Sequence, residues 1–266
     1  MTAVRRIGFT AVLAAAVTVL PGCTGDGRTP VEIGGSSSVV PVMELLAAGY
    51  MEINRYVRIN INGTGSSDGI RNAGVLYQFG MTSRDLTPAE LGMGLNQQLI
   101  AIDGIAVIVH YTSPVTDLTG EQIRLIYTGA ITDWAEVSGN KSGAIAVMTR
   151  EEGSGTRGAF EAIVGFPGRL RPGAVEGPST GAVRSGVAGN PAAIGYISVG
   201  SVDGSVRALR VDGAEPTAAN MRSGLYRIAR PFILVYDELH PAARAFLEWA
   251  TGEGQAVVAQ NWVPIN

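Results

Sequence analysis

Arg150-Glu151-Glu152-Gly153-Ser154-Gly155-Thr156-Arg157 lies between an apolar run at residues 145–148 and the helical spacing of Phe160, Ile163 and Val164. That order predicts a strand, a glycine-rich turn and a helix beginning near Thr156. Such a turn gathers hydroxyls and unpaired backbone N–H groups at the helix end that carries partial positive charge, which favours an oxyanion. Arg150 adds a planar guanidinium able to make a bidentate, charge-assisted contact with a tetrahedral oxyanion. Glu152, two residues on, is placed to hold that arginine. Two more predicted strand-turn-helix junctions have the same make-up: Gly34-Gly35-Ser36-Ser37-Ser38 and Gly63-Thr64-Gly65-Ser66-Ser67. One such loop is ordinary N-cap chemistry. Three in one chain point to a shared ligand. Ser83-Arg84, after Phe79-Gly80, is a fourth polar break, which alone reads as a solvated turn.

Outward from these loops, short apolar runs alternate with helical patterns, which predicts an α/β fold. Strands are expected at residues 31–33, 57–61, 99–110, 145–148, 194–199 and 232–236. Helices are expected at residues 39–53, through Ile123, Ile126 and Tyr127 with closure at Gly129, and near the C-terminus. Thr87-Pro88-Ala89-Glu90 and Thr119-Gly120-Glu121-Gln122 have capping-box spacing, so a helix is expected to start at each.

Composition removes several functional classes. Of 266 residues, 46% are apolar and 16% charged, too apolar a balance for a disordered chain. One cysteine cannot form an internal disulfide, and two histidines leave little for a metal centre. No metal ion and no cofactor are expected. Without a Lys/Arg cluster there is no nucleic-acid footprint. The mean hydropathy of +0.20 is raised by the N-terminus. Arg5 and Arg6 precede an apolar stretch at residues 7–20, shorter than the roughly 20 residues of a spanning helix, so residues 1–22 read as a secretory signal. Leu20-Pro21-Gly22-Cys23 is similar to the bacterial lipobox, whose cysteine becomes acylated. The other reading is a plain signal peptide and a free cysteine. Residues 23–30 would then tether a body held, lipid-anchored through Cys23, at the outer side of the cell membrane. Beyond residue 22 the chain carries 18 basic and 23 acidic residues, a balance of −5, so any anion site must be local.

Familiar catalytic arrangements are missing. Lys141 follows Asn140 and not glycine, so there is no P-loop; Asp68 replaces the third glycine of a dinucleotide fingerprint. Glu152 occupies the position where a nucleophile elbow at Ser154 needs glycine. His110 ends an apolar strand and His240 precedes Pro241 at a helix start, and both read as structural.

Taken together, the chain resembles the phosphate-binding proteins of bacterial phosphate ABC transporters, the PstS type in its short form. The resemblance runs from about residue 31 to the end. It is carried by Gly35-Ser36-Ser37-Ser38-Val39, Thr64-Gly65-Ser66-Ser67, Leu118-Thr119, Ile131-Thr132-Asp133-Trp134, the Arg150–acid–Gly153-Ser154-Gly155-Thr156 block, Ala193-Ile194-Gly195-Tyr196 and Glu253-Gly254-Gln255. It implies a two-lobed type II periplasmic-binding-protein fold joined by hinge strands. Lobe one would comprise residues 31–108 and 225–266, and lobe two residues 109–224. It also implies a monomeric receptor without enzymatic activity, which delivers inorganic phosphate to a membrane permease. Matched by position, Ser37, Ser38, Ser66, Ser83, Arg150, Ser154, Gly155 and Thr156 would bind phosphate, supported by Ser67, Arg84 and Glu152. Many members carry an aspartate at the position of Ser83, to accept the ligand's proton and reject sulfate; the short form often has Ser-Arg there, as in Ser83-Arg84, so phosphate binding is still expected, with a weaker basis for rejecting sulfate and with Asp68 or Asp85 as candidate acceptors. The alternatives are a receptor for sulfate or molybdate, a phosphatase using Ser154 or Thr156, and a signalling or adhesion module of the same fold.

Overall fold

The structure is a computed structural model that describes residues 27–266; the signal segment and Cys23 lie outside the described residues. The first half of the chain runs through β1 (Thr29–Gly35), α1 (Val40–Ile53), β2 (Val57–Asn62), α2 (Ser66–Asn72), β3 (Phe79–Thr82), α3 (Pro88–Leu91) and β4 (Asn96–His110). It continues with β5 (Asp117–Leu118), α4 (Gly120–Thr128), β6 (Ala146–Arg150), α5 (Gly155–Val164), β7 (Val175–Gly177) and α6 (Thr180–Ala188). Then come β8 (Ala193–Ser198), β9 (Val206–Ala208), β10 (Arg210–Val211), α7 (Ala218–Arg222), β11 (Ala229–Tyr236), α8 (Pro241–Thr251) and α9 (Gln255–Val258).

Among the described residues, nine strands form one mixed sheet in the order β2-β1-β3-β11-β4-β8-β6-β7, with β9 also on β4. The long apolar run expected at residues 99–110 is its organising strand. The first part of β4 pairs antiparallel with β11, from Asn96 opposite Tyr236 to Gly104 opposite Ala229. The rest pairs antiparallel with β8, from Ile105 to Val109. The apolar cores change over at the same place. One cluster is built from Val31, Ile33, Leu46, Phe79, Ala101, Phe232 and Phe246 among others. The second contains Ile105, Val107, Tyr127, Trp134, Phe160, Tyr196 and Ile228. In the second, Phe160 stacks on Tyr196 with ring centroids 4.0 Å apart.

The sequence signals for the ends of elements have clear physical counterparts. Thr87 and Thr119 both form complete capping boxes, with Glu90 and Gln122. Gly129 closes α4 in the left-handed conformation, with φ 84°. The helix after Thr87 is one turn only, because Gly92 and Gly94 follow it. Residues 23–26 of the expected tether lie outside the described residues, and its last two residues belong to a strand. Thr29 and Pro30 already pair with Val57 and Arg58 in the sheet. Helix α6 was not expected, and it brings Thr180 to the site described next.

Candidate functional site

Four helix N-termini converge where the two cores meet. The loop of Ser36, Ser37 and Ser38 leads into α1, α2 begins at Ser66, Ser154 caps α5, and α6 begins at Thr180. The first turn depends on Gly35. Its φ is 136°, and a Cβ there would fall 2.3 Å from the carbonyl oxygen of Met81. Without that Cβ, the Ser36 N–H donates to the same carbonyl at 2.9 Å, which fixes the loop against β3.

Ser36, Ser38, Ser66, Ser83, Arg150, Ser154, Thr156, Thr180 and Arg230 are all buried, and most of them touch one another. Ser36 Oγ donates to Ser83 Oγ at 2.8 Å. Ser66 Oγ lies 3.5 Å from Ser83 Oγ and accepts the Ser83 N–H at 3.3 Å. Ser38 Oγ is 2.8 Å from both Thr156 Oγ1 and Thr180 Oγ1. The Thr180 N–H donates to Ser37 Oγ at 3.2 Å. Gly155 is part of the same mould: a Cβ there would sit 2.3 Å from Ser66 Oγ and 2.8 Å from Ser83 Oγ. Ser154 Oγ accepts the Arg157 N–H as the cap of α5, so its own proton remains available.

Arg150 reaches this cluster from the end of β6 and is 2% exposed. Its orienting acid is Glu151, which corrects the expectation of Glu152. Arg150 Nε donates to Glu151 Oε2 at 2.8 Å and Nη2 to Oε1 at 2.7 Å, while Glu152 is exposed. Nε also reaches the Gly177 carbonyl at 3.2 Å. Nη1 donates to Thr180 Oγ1 at 3.2 Å. The edge of the guanidinium taken by Glu151 is therefore turned from the hydroxyls, and the Nη1 side faces them.

The supporting residues Ser67 and Arg84 stand at the rim. Arg84 gives Nη1 and Nη2 to the two carboxylate oxygens of Glu90 at 2.7 and 2.8 Å, and Nη2 also reaches Ser67 Oγ at 3.3 Å. That bonding holds the Glu90 carboxyl down to about 2, far below its usual range, with burial opposing the shift. The Ser67 N–H donates to the Gly153 carbonyl at 3.2 Å, joining the second and third loops. Asp68 accepts from Asn72 Nδ2 at 2.8 Å and from Tyr77 OH at 3.4 Å, and Asp85 is exposed, so neither joins the hydroxyl cluster.

Sequence reasoning placed Ser36 in an anion loop without giving it a role, and it missed Thr180 and a second buried arginine. Arg230 on β11 lies directly across from Asp103 on β4. Its Nη2 and Nε donate to Asp103 Oδ2 at 3.1 and 3.3 Å, and its Nη1 donates to Ser83 Oγ at 3.2 Å. Ser198 donates to the other oxygen of Asp103 at 2.8 Å. Burial pushes the Asp103 carboxyl up to about 6, with Arg230 and Ser198 pulling the other way. A carboxylate alone in the apolar run at residues 99–110 was the available signal, because a buried charge requires a partner.

The arrangement is suited to gripping a tetrahedral oxyanion. Hydroxyls, helix N-termini and two guanidiniums converge, and each guanidinium carries its own carboxylate. A cleft of about 620 Å³, lined by Ser67, Arg84, Ser154, Arg157, Glu161 and Arg230, opens beside it. The histidines are engaged elsewhere: His110 Nδ1 contacts Thr112 Oγ1 at 2.8 Å, and His240 caps α8. Among the described residues there is no His, Cys, Asp or Glu group able to hold a metal ion, and no helix is long and apolar enough to cross a membrane.

Known proteins share this arrangement of elements. A profile of the PBP superfamily domain matches residues 23–253. The chain is 29% identical to the phosphate-binding protein PstS of Bacillus subtilis, across 88% of this chain and 80% of that one. It is 26% identical to PstS of Borreliella burgdorferi, across 89% and 90%. A solved substrate-binding protein of the phosphate ABC transporter type from Clostridium perfringens, with bound phosphate, superposes with a TM-score of 0.87 at 44% identity. That match covers 90% of this chain and all of the other. An ABC-type phosphate transport receptor from Vibrio cholerae gives a TM-score of 0.71 at 33% identity, across 89% of this chain and all of that one. With the profile spanning most of the sequence and the fold shared with these relatives, the chain belongs to the PstS-type phosphate-binding proteins of the PBP superfamily.

Proposed function

We propose that the protein is an extracytoplasmic receptor that binds inorganic phosphate between two lobes and delivers it to the membrane permease of an ABC transporter. The observation that carries this reading is the buried cluster of hydroxyls and paired arginines at four converging helix N-termini. Ser37, Ser38, Ser66, Ser83, Thr156 and the Nη1 side of Arg150 supply donors, and Gly155 lets the start of α5 come close against Ser66 and Ser83. The change of core near Gly104 and Ala229 supports lobe boundaries there, a few residues from the expected 108 and 225, with β4 and β11 connecting the lobes. Ligand contacts from both sides favour the closed arrangement. The protein performs no chemistry on its ligand, acts as a monomer, and is anchored by lipid on Cys23. The test is calorimetry on phosphate-stripped protein. Saturable one-to-one heat with phosphate is expected. No heat with phosphate, or turnover of a phosphate ester that is lost in Ser154→Ala, would overturn the reading.

A further inference from the structure

We propose that Arg230 is a positioning residue of the anion site, and that Asp103 and Ser198 tie it to lobe closure through a chain of hydrogen bonds that crosses the hinge. The proposal rests on the two-lobed phosphate-receptor reading above and concerns how long that receptor holds its ligand.

Ser198, Asp103, Arg230 and Ser83 form the chain, and all of them are buried. It begins beyond the change of core. Ser198 lies opposite Ile105, in the part of β4 that pairs with β8. Asp103 lies two residues earlier, opposite Arg230, in the part that pairs with β11. The 2.8 Å bond from Ser198 Oγ to Asp103 Oδ1 therefore joins the two parts of the strand. Rotation of one lobe against the other about this crossing moves the two ends of that bond apart. With its other oxygen, Oδ2, Asp103 accepts Nη2 and Nε of Arg230 at 3.1 and 3.3 Å. At the far end, Arg230 Nη1 donates to Ser83 Oγ at 3.2 Å and reaches the Ser83 carbonyl at 3.4 Å. The direction of each bond is set by a charge, because a carboxylate only accepts and a guanidinium only donates.

The crossing is tightly packed. A Cβ at Gly104 would fall 2.7 Å from Met221 Sδ and 2.8 Å from Val199 Cγ2, and one at Gly200, just after β8, would fall 2.2 Å from the Trp262 ring. Trp262 belongs to the first core and Met221 to the second, so the two cores close over this point from both sides. Asp103 is 0% exposed there. In the closed arrangement, an Asp103 oxygen that lost Ser198 would be left without a partner. Opening at the crossing lets water reach it, so the penalty falls on the closed state. Ligand leaves after the lobes open, and a weakened closed state therefore shows in release and not in association. Arg230 acts through Ser83, which is why it positions and does not itself bind.

The experiment uses phosphate-stripped full-length protein and two rates: association of inorganic phosphate, followed by tryptophan fluorescence, and release of radiolabelled phosphate into excess unlabelled phosphate. Ser198→Ala is expected to speed release about tenfold, with association within about twofold of the parent. Unchanged release, or a loss of affinity carried by slower association, overturns the proposal. A merely structural serine would lower the ligand-free melting temperature without separating the two rates. Arg230→Lys keeps the charge beside Asp103 but replaces the fork with a single ammonium, which cannot hold Asp103 and Ser83 together. Release is again expected to speed about tenfold, and a rate equal to the parent's overturns the proposal. Adding Ser198→Ala to Arg230→Lys is expected to change release by less than about threefold, because the chain is already broken. Effects that simply multiply would show that Ser198 does not act through Arg230, and the proposal would be wrong. Should one single variant not fold, the release rate of the other decides. A parent that binds no phosphate sinks the receptor reading and the proposal together; a parent that binds it, with both variants releasing it at the parent's rate, sinks the proposal alone.

Discussion

Gly155→Ala is expected to leave the protein folded and to disable its binding. In the closed site the new Cβ would lie 2.3 Å from Ser66 Oγ, 3.0 Å from Ser66 Cβ and 2.8 Å from Ser83 Oγ, whereas ordinary contact begins near 3.4 Å. Ser66 and Ser83 are fully buried and have nowhere to retreat, so α5 has to move off by about 1 Å. That displacement stretches the 2.8 Å contact of Thr156 with Ser38 and the 3.2 Å bond from Ser67 to Gly153, both of which span the two sides of the cluster. A bound anion would lose two or so charge-assisted hydrogen bonds, about 3 kcal/mol, or roughly a hundredfold in Kd. The separated sides meet no such clash. There alanine, at the first position of α5, is the better helix former by up to about 1 kcal/mol. Two measurements on phosphate-stripped protein check this: the phosphate Kd by calorimetry and the ligand-free Tm. Binding within threefold of the parent, or a ligand-free Tm that drops by several degrees, would refute the reasoning.

Arg150→Met removes the charge that reaches the cluster from β6, and phosphate binding is expected to weaken by about 2–5 kcal/mol, at least thirtyfold in Kd by titration. Glu90→Gln breaks the pair with Arg84 at the rim, whose side chains are 15% and 17% exposed, and is expected to cost about 1 kcal/mol at neutral pH. Because Glu90 is held at about 2, below its ordinary 4.5, its contribution is present above the usual carboxylate range and fades as pH falls toward 2. Melting curves of parent and variant should therefore differ at pH 7 and converge in acid. Cys23→Ser is expected to release the protein from membranes with its phosphate affinity unchanged, as fractionation and calorimetry would show; weaker binding would contradict a tether.

The three glycine-rich loops were legible in the sequence because a strand-turn-helix junction is a local pattern. So were the capping boxes at Thr87 and Thr119 and the long buried strand β4. The partner of Arg150 was misplaced by one residue, since composition cannot say which of two adjacent glutamates turns back along β6. Arg230 was illegible for another reason. It stands before Pro231 at the start of a strand, a position that reads as a polar break, and its partner Asp103 is 127 residues away. Only sheet pairing brings the two together. Thr180 escaped notice likewise, because α6 has no strong apolar stripe, and its importance comes from where the fold carries its first residue.

Arg150 and Arg230 each enter the site with a carboxylate of their own. A pocket built on two uncompensated buried guanidiniums would fold poorly without an anion and would keep that anion as a permanent part of its structure. With Glu151 and Asp103 in place, the interior is already electrically balanced, and an arriving oxyanion is held by dipoles and hydrogen bonds that can be surrendered. Cargo can then leave without the protein losing its integrity, which is the requirement that separates a courier from a protein with a resident cofactor.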